Sequence, residues 1–299
     1  MAATAGRESA PAAPPSRAGR SSSRNRRRHR LGVYALIVVL ILALLFPVYW
    51  MLITAVLPSR DVLAPTPPLL PDLGNVSLDS FFRVFEMRPV GQWLRNSSIV
   101  AGGAMVATVV LGTMAGYSLS RLASKIGLVV GYSLFAVRLI PTTLLVIPLF
   151  MMFSVAGLTN SLLSLVIADT VVLVPFASWI MKSIFDGIPV ALEEAALVDG
   201  ASRLRAFVSI VLPLARPGVG AIAIFSAIMA WHDFTFARTL MQGSEGATVT
   251  VGVVSFVGEY TADWGALMAA GLLSIAPMVV LFILLEPLLI SGLTKGAVK

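Results

Sequence analysis

The sequence predicts an all-α membrane protein with six transmembrane helices. Of its 299 residues, 57% are hydrophobic and only 12% are charged, and the mean hydropathy is +0.89. A soluble domain carries about 25% charged residues, so most of this surface is suited to lipid rather than water. A spanning helix needs about 20 predominantly apolar residues. The predicted spans lie near residues 31–57, 96–120, 127–153, 161–183, 217–240 and 264–291.

The N-terminal tail, residues 1–30, is predicted to be disordered because it is rich in Arg, Pro, Ser and Ala without apolar periodicity. Its eight arginines and one acid account for the whole formal net charge of +7, so residues 31–299 are neutral. The high pI of about 10.2 therefore does not indicate a nucleic-acid partner. We expect the tail to hold the N-terminus in the cytoplasm and to contact anionic lipid.

The first span and the loop charges predict the orientation. Residues 31–59 contain no Asp, Glu, Lys or Arg, which is too long a run for a signal peptide, whose apolar part covers about 7–15 residues. Six spans place both termini on one side. Beyond the tail, segments on that side carry eight basic and four acidic residues, and those on the other carry four and seven. Positive charge is retained inside, so both termini of this multi-pass plasma-membrane protein are predicted to be cytoplasmic.

Several chemistries are excluded by residues that the sequence lacks. It contains no cysteine, two histidines and no Gly-Lys pair. Disulfides, thiolate or histidine metal clusters and a phosphate-binding P-loop are therefore excluded. We predict no catalytic residue, no metal site and no cofactor on this chain, which is not expected to be an enzyme.

The cytoplasmic loop, residues 184–216, carries the strongest local pattern. Pro189 suits a first helical position, and two glutamates follow at the positive end of the same helix. Gly200 is suited to end that helix in the left-handed conformation, Ser202 is suited to cap a second helix, and Pro213 is expected to end it. The pattern predicts two short helices joined by a hinge. The alanines of the first helix would let another protein approach closely.

This loop resembles the EAA loop of permease subunits in bacterial ATP-binding-cassette (ABC) importers. The resemblance rests on Glu194-Ala195-Ala196, three intervening residues, Gly200, nine intervening residues, and then Ile210-x-Leu212-Pro213. It implies the type I ABC importer permease fold and a coupling helix seated in a cleft of a cytoplasmic ATPase. The alternative is a solvated hairpin with no partner. The expected ATPase-coupling residues are Glu193, Glu194, Ala195, Ala196, Asp199, Gly200, Ile210, Leu212 and Pro213.

Three further segments resemble the second permease of the maltose-type carbohydrate importers. They are the ending Gly292-Leu-Thr-Lys-Gly-Ala-Val-Lys299, the stretch Trp231-His-Asp-Phe234 and the stretch Leu267-Met-Ala-Ala270. The resemblance covers about residues 31–299. His232 departs from the usual Asn, and Glu286-Pro287 departs from the usual Gln and basic residue.

The resemblance implies a set of partners. These are a second homologous permease, a cytoplasmic ATPase dimer that binds Mg-ATP, an extracytoplasmic solute-binding protein or lipoprotein, a sugar substrate and membrane lipid. Three alternatives stay open. One is an ABC permease for amino acids or peptides, and another is a scaffold without a pathway. The third is an ion-coupled secondary transporter, which would usually show inverted repeats and broken helices, and neither is evident in the sequence.

Ionisable residues inside predicted spans are candidate pathway residues, because a charge at mid-membrane costs about 2.5–3.5 kcal/mol on insertion scales. Arg138 and Asp233 are candidates for hydrogen bonds to sugar hydroxyls, with Trp231 supplying an apolar face. Alternatively, Arg138 pairs with Asp169 or Asp233 and fixes helix packing. In the family that this chain resembles, the partner permease makes most sugar contacts.

Overall fold

The fold is built from helices throughout the part of the chain that is described. The computed structural model describes residues 19–64, 68–72, 74–121, 125–258 and 263–296. The helices are α1 (Gly19–Val56), α2 (Ser59–Val62), α3 (Asp79–Met87), α4 (Val90–Arg121), α5 (Lys125–Arg138), α6 (Thr142–Val155), α7 (Leu162–Asp186), α8 (Ala191–Val198), α9 (Arg203–Ala206), α10 (Leu212–Leu214), α11 (Arg216–Trp231), α12 (Thr235–Leu240), α13 (Gly243–Gly246), α14 (Val249–Val254) and α15 (Trp264–Gly296). Residues 207–211 form a π-helical turn between α9 and α10.

Four helices among the described residues are long and apolar enough to cross a membrane: α1, α4, α7 and α15. A fifth crossing is possible if α9 to α11 is counted as one bent span. A continuous helix therefore lies at four of the six predicted positions, and two predicted spans are interrupted. The last helix also continues through Pro287, one of the two adjacent residues that depart from the family pattern. Residues 297–299, which end the C-terminal motif, lie outside the described residues.

Helix α1 begins at Gly19, earlier than the predicted start of the first span near residue 31. The expectation of disorder therefore fails for residues 19–30, while residues 1–18 lie outside the described residues. Arginine is a good helix former, and extending an existing helix avoids the cost of nucleating a new one. Nearly all side chains of residues 32–49 are exposed and apolar, as suits contact with lipid.

The predicted span 127–153 is two helices, α5 and α6, separated by residues 139–141. Pro141 explains the break, because proline disfavours helical geometry at the residue before it and has no N–H to donate. Each helix has 14 residues and so extends about 21 Å, short of the roughly 30 Å hydrocarbon core. The prediction of one continuous span is wrong here.

The predicted span 217–240 is also interrupted, because α11 ends at Trp231 and α12 begins at Thr235. Asp233 provides the reason. Its carboxylate accepts hydrogen bonds from the backbone N–H groups of Phe236 (3.3 Å) and Ala237 (2.9 Å), which caps α12 as a new helix. At the other end of α11, the chain bends by 76° between α10 and α11.

Helices α4 and α7 pack closely through small residues. A Cβ atom built on Gly112 would lie 2.7 Å from the Cβ of Ala177, and one built on Gly116 would lie 2.6 Å from the Cβ of Met181. Such distances leave no room for a side chain, so these glycines let the two backbones approach. Buried apolar clusters lie along this helix pair and along α11.

Replacing Gly116 by Ala is predicted to destabilise the protein by about 1–3 kcal/mol, because the added methyl group overpacks the contact between α4 and α7. The backbone atoms Lys182 N and Ser178 O, both 2.8 Å from the built Cβ, cannot move aside without moving α7. Thermal unfolding in detergent measures the effect.

Gly102 on the same helix is the matched control, because a Cβ there meets no atom within 4 Å. Gly102→Ala should leave stability unchanged or raise it through better helix propensity. Equal melting temperatures for Gly116→Ala and the unmodified protein would contradict close packing at this site.

Candidate functional site

The cytoplasmic loop folds as the predicted helix–hinge–helix. Helix α8 ends before Gly200, which has a φ of +86°, a conformation that favours glycine. Ser202 caps α9 by accepting a hydrogen bond from the N–H of Arg205 at 3.3 Å. The first helix begins at Ala191, two residues after Pro189, which was expected to lie at its first position.

Pro213 does not end the second helix, contrary to expectation. The chain passes through the π-helical turn at residues 207–211 and through α10, and the break falls at Ala215. In the turn, the N–H of Leu212 bonds to the carbonyl of Phe207 five residues earlier. Proline has no N–H to donate, so a widened turn just before Pro213 accommodates the missing bond without ending the helix.

Exposure divides the predicted coupling residues into two groups. Glu194, Ala195, Asp199 and Gly200 are exposed and form a surface that another protein can contact. The remaining members face the body of the protein. Glu193 and Ala196 are buried, and Ile210, Leu212 and Pro213 are half-buried.

Glu193 is held by two residues near the end of α4. Arg121 Nε lies 2.5 Å from Glu193 Oε1, and the Tyr117 hydroxyl donates to Glu193 Oε2 at 2.7 Å. The same guanidinium donates to the backbone carbonyls of Phe185 (3.0 Å) and Ile188 (2.9 Å). One arginine of α4 thus binds the end of α7, the turn that follows it and helix α8. We call this set of contacts the Arg121 tether.

Aromatic packing surrounds the tether. The ring of Tyr117 lies 4.5 Å from that of Phe207 and 5.6 Å from that of Phe185, measured between centroids. Nearby, the Ser120 hydroxyl donates to Asp186, which also pairs with Lys182. Neither Arg121 nor Tyr117 was among the predicted site residues, because their acidic partner, Glu193, lies in a different loop more than seventy residues away along the chain.

A second candidate site is a cavity of about 420 Å³ between the interrupted spans. Its volume falls in the range of small-molecule sites, about 300–1,000 Å³. The wall is mostly aliphatic and aromatic, with two carboxylates. The lining residues are Val137, Leu139, Ile140, Pro141, Thr142, Leu145, Asp169, Val172, Leu173, Phe225, Met229, Asp233 and Phe236.

The predicted pathway residues are not brought together as expected. Asp233 lines the cavity and also caps α12. Trp231 is buried in an apolar cluster and does not line the cavity. Arg138 is the last residue of α5, between two lining residues, but its side chain lies outside those described, as does its proposed pairing with an aspartate. Asp169 faces the cavity beside Asp233.

Among the residues that the structure describes, no three His, Cys, Asp or Glu side chains come close enough to hold a metal ion. The chemistry that this part of the chain offers is hydrogen bonding and apolar contact in the cavity, and protein contact at α8.

Comparison with known proteins identifies the family. Residues 108–295, which include α8 and most of the cavity wall, match the family described as the binding-protein-dependent transport system inner membrane component. The chain belongs to this family. The permease is therefore a membrane component of an ABC transporter, and ATP hydrolysis is the task of a separate subunit. Membership of this family argues against the alternative of an ion-coupled secondary transporter. Broken helices, one of the two features that such a transporter would usually show, are nevertheless present.

Curated relatives match the permease over most of its length. The inner membrane ABC transporter permease protein YcjP of Escherichia coli K12 is 32% identical and covers 90% of this chain and 96% of its own. The diacetylchitobiose uptake system permease protein DasC of Streptomyces coelicolor is 33% identical, covering 88% and 94%. The trehalose/maltose transport system permease protein MalG of Thermococcus litoralis is 30% identical, also covering 88% and 94%.

The fold is that of a solved importer. A chain in the crystal structure of a bacterial ABC transporter involved in alginate import superposes with a TM-score of 0.75 at 19% identity, covering 88% of the permease and 97% of that chain. This similarity confirms the predicted type I permease fold.

Replacing Arg121 by Met is predicted to destabilise the permease by about 3 kcal/mol or more, because it leaves Glu193 buried without its cation. The side chains of this pair are only 12% and 10% exposed. The melting temperature of the purified protein in detergent measures the loss.

Lys182→Met is the matched control, because it removes a cation from the more exposed pair with Asp186. Surface ion pairs contribute about 0–1 kcal/mol, so this change should be small. Similar shifts for both variants would mean that the Arg121 tether has no special role in stability.

Proposed function

We propose that this chain is the permease of a carbohydrate importer, which forms the pathway together with a second permease. Several relatives carry names that specify sugars. They include the permeases for diacetylchitobiose, for melibiose, raffinose and stachyose, for trehalose and maltose, and for sulfoquinovosyl glycerol. A dimer of a cytoplasmic ATPase, which binds Mg-ATP, and an extracytoplasmic solute-binding protein or lipoprotein complete the transporter.

One observation supports the coupling role most directly. Helix α8 has an exposed surface that a partner can contact, and the Arg121 tether holds the same helix to the body of the protein. The partner ATPase contacts Glu194, Ala195 and the hinge at Gly200. Because Arg121 binds α8, the turn before it and the end of α7 together, a displacement of α8 is transmitted directly to α4 and α7. A solvated loop without a partner would have no need of such a connection.

The orientation follows from the same assignment. Because the ATPase is cytoplasmic, α8 and both termini lie in the cytoplasm, in agreement with the distribution of basic residues in the loops. The segment that contains Glu245 and Ala247 would then lie on the outer side. It is held by α4, because the side-chain amide of Asn96 donates hydrogen bonds to the backbone carbonyls of Glu245 and Ala247 at 2.9 and 3.0 Å. Arg138 and Asp233 remain the proposed pathway residues of this subunit.

A cysteine at Val198 tests this orientation. The chain has no native cysteine, and Val198 is an exposed residue of α8. A membrane-impermeant maleimide should label Val198→Cys in inside-out vesicles and leave it unlabelled in intact cells. Labelling from outside intact cells would contradict the assignment. Leu69→Cys, exposed in the opposite loop, should show the reverse pattern.

Reversing the charge of Glu194 tests the coupling surface. Glu194→Lys is expected to lower ATP-dependent sugar uptake at least roughly tenfold, because it reverses the charge at the centre of the proposed contact surface. The ATPase should also be lost when the permease is purified from membranes. The permease itself should keep its melting temperature, since Glu194 is exposed.

Glu86→Lys is the control, an equal charge reversal at an exposed residue of α3, outside the loop. Its uptake should match that of the unmodified protein. Normal uptake by Glu194→Lys would remove α8 as the coupling element.

A further inference from the structure

The cavity between the interrupted spans has the features of a binding site rather than of a packing defect. Two stretches of non-helical backbone border it, residues 139–141 and residues 232–234. Irregular backbone at membrane depth is tolerated where it is buried in protein or lines a water-filled cavity. Both interruptions of the predicted spans therefore occur beside the same cavity.

Asp169 of α7 faces this cavity, and no hydrogen bond within the described part of the chain accounts for its burial. The residue is only 5% exposed, and its Oδ2 atom is buried without a hydrogen-bond partner. Leaving a buried polar group unpaired costs free energy, and most so for a group that carries charge. By contrast, Asp233 is satisfied by two backbone N–H groups at the start of α12.

We infer that Asp169 is a solute-binding residue of this cavity and accepts hydrogen bonds from a neutral, hydroxyl-bearing saccharide. This inference rests on the proposed function. It assigns to the subunit a saccharide contact at Asp169 and a preference for neutral over acidic sugars.

The composition of the wall distinguishes among possible ligands. A Mg²⁺ or Ca²⁺ ion takes six or more oxygen ligands, and the lining offers two carboxylates and one threonine hydroxyl. The lining residues include two acidic side chains and no basic side chain that could pair with an anionic solute, so such a solute would be buried without a counter-charge from the lining. A neutral saccharide fits both parts of the wall, because its hydroxyls donate to Asp169 while its C–H faces contact Phe225 and Phe236.

The test uses cells whose chromosomal copy carries the variant, so that every native partner subunit is present. Uptake is measured with labelled melibiose, trehalose, diacetylchitobiose and, as an acidic probe, digalacturonate. Asp169→Asn should lower the uptake of the neutral sugar that the unmodified transporter moves by roughly tenfold or more, which corresponds to the loss of about one hydrogen bond to the Asp169 carboxyl group. It should also raise digalacturonate uptake relative to that of the neutral sugar.

Two further variants complete the design. Val172→Phe places a large side chain in the cavity from the same helix and should also lower uptake. Ser178→Ala is the matched control, a buried polar residue of α7 whose hydroxyl donates to the Val174 carbonyl at 2.7 Å and does not line the cavity. Its uptake should stay within about twofold of that of the unmodified protein.

The outcomes separate the inference from the proposed function. If deletion of the permease leaves the uptake of every saccharide that the cells import unchanged, the proposed function and the inference both fail. If the deletion lowers the uptake of one, but Asp169→Asn has the same rate and the same preference among solutes as the unmodified transporter, the inference is overturned and the proposed function stands. The same conclusion follows if Asp169→Asn lowers only the melting temperature of the permease, which would mark Asp169 as a residue that stabilises the fold.

Discussion

The contact between Arg121 and Glu193 is the constraint on which the functional arrangement of this permease depends. Two charges that are almost removed from water are stable only if the pair is complete and its remaining hydrogen-bonding groups are satisfied. Arg121 meets this condition by binding two backbone carbonyls besides Glu193, and Tyr117 satisfies the other carboxylate oxygen. The consequence is that α8, a short helix that would be marginal alone, is fixed to two long helices.

A second constraint acts within the spans, where helix breaks must be sheltered from lipid. Pro141 interrupts the third predicted span, and the cap formed by Asp233 separates α11 from α12. Both breaks border the cavity that Asp169 also lines. The close contacts of Gly112 and Gly116 with α7 hold that helix in place beside them. The proposed coupling surface and the proposed solute cavity are thus joined through α7, which carries Asp169 in its first half and meets the Arg121 tether at its end.

The sequence predicted the features that local interactions determine. The hinge at Gly200 and the cap at Ser202 were predictable because each depends on a few neighbouring residues. The helix breaks were not, because hydropathy records apolar length and is insensitive to one proline or one capping aspartate within a run. Arg121 and Tyr117 were missed because their role depends on a contact with Glu193 more than seventy residues away. The burial of Trp231 was likewise set by tertiary packing.

The most direct test of the account is the distance between α8 and α4 during the ATP cycle. Because the chain has no cysteine, spin labels can be placed at Ser118→Cys and Val198→Cys, both exposed, in the complete transporter. The account predicts the same distance distribution in the nucleotide-free and ATP-bound states, since the Arg121 tether makes the two helices move together. A shift of more than one helical turn, about 5.4 Å, would contradict it.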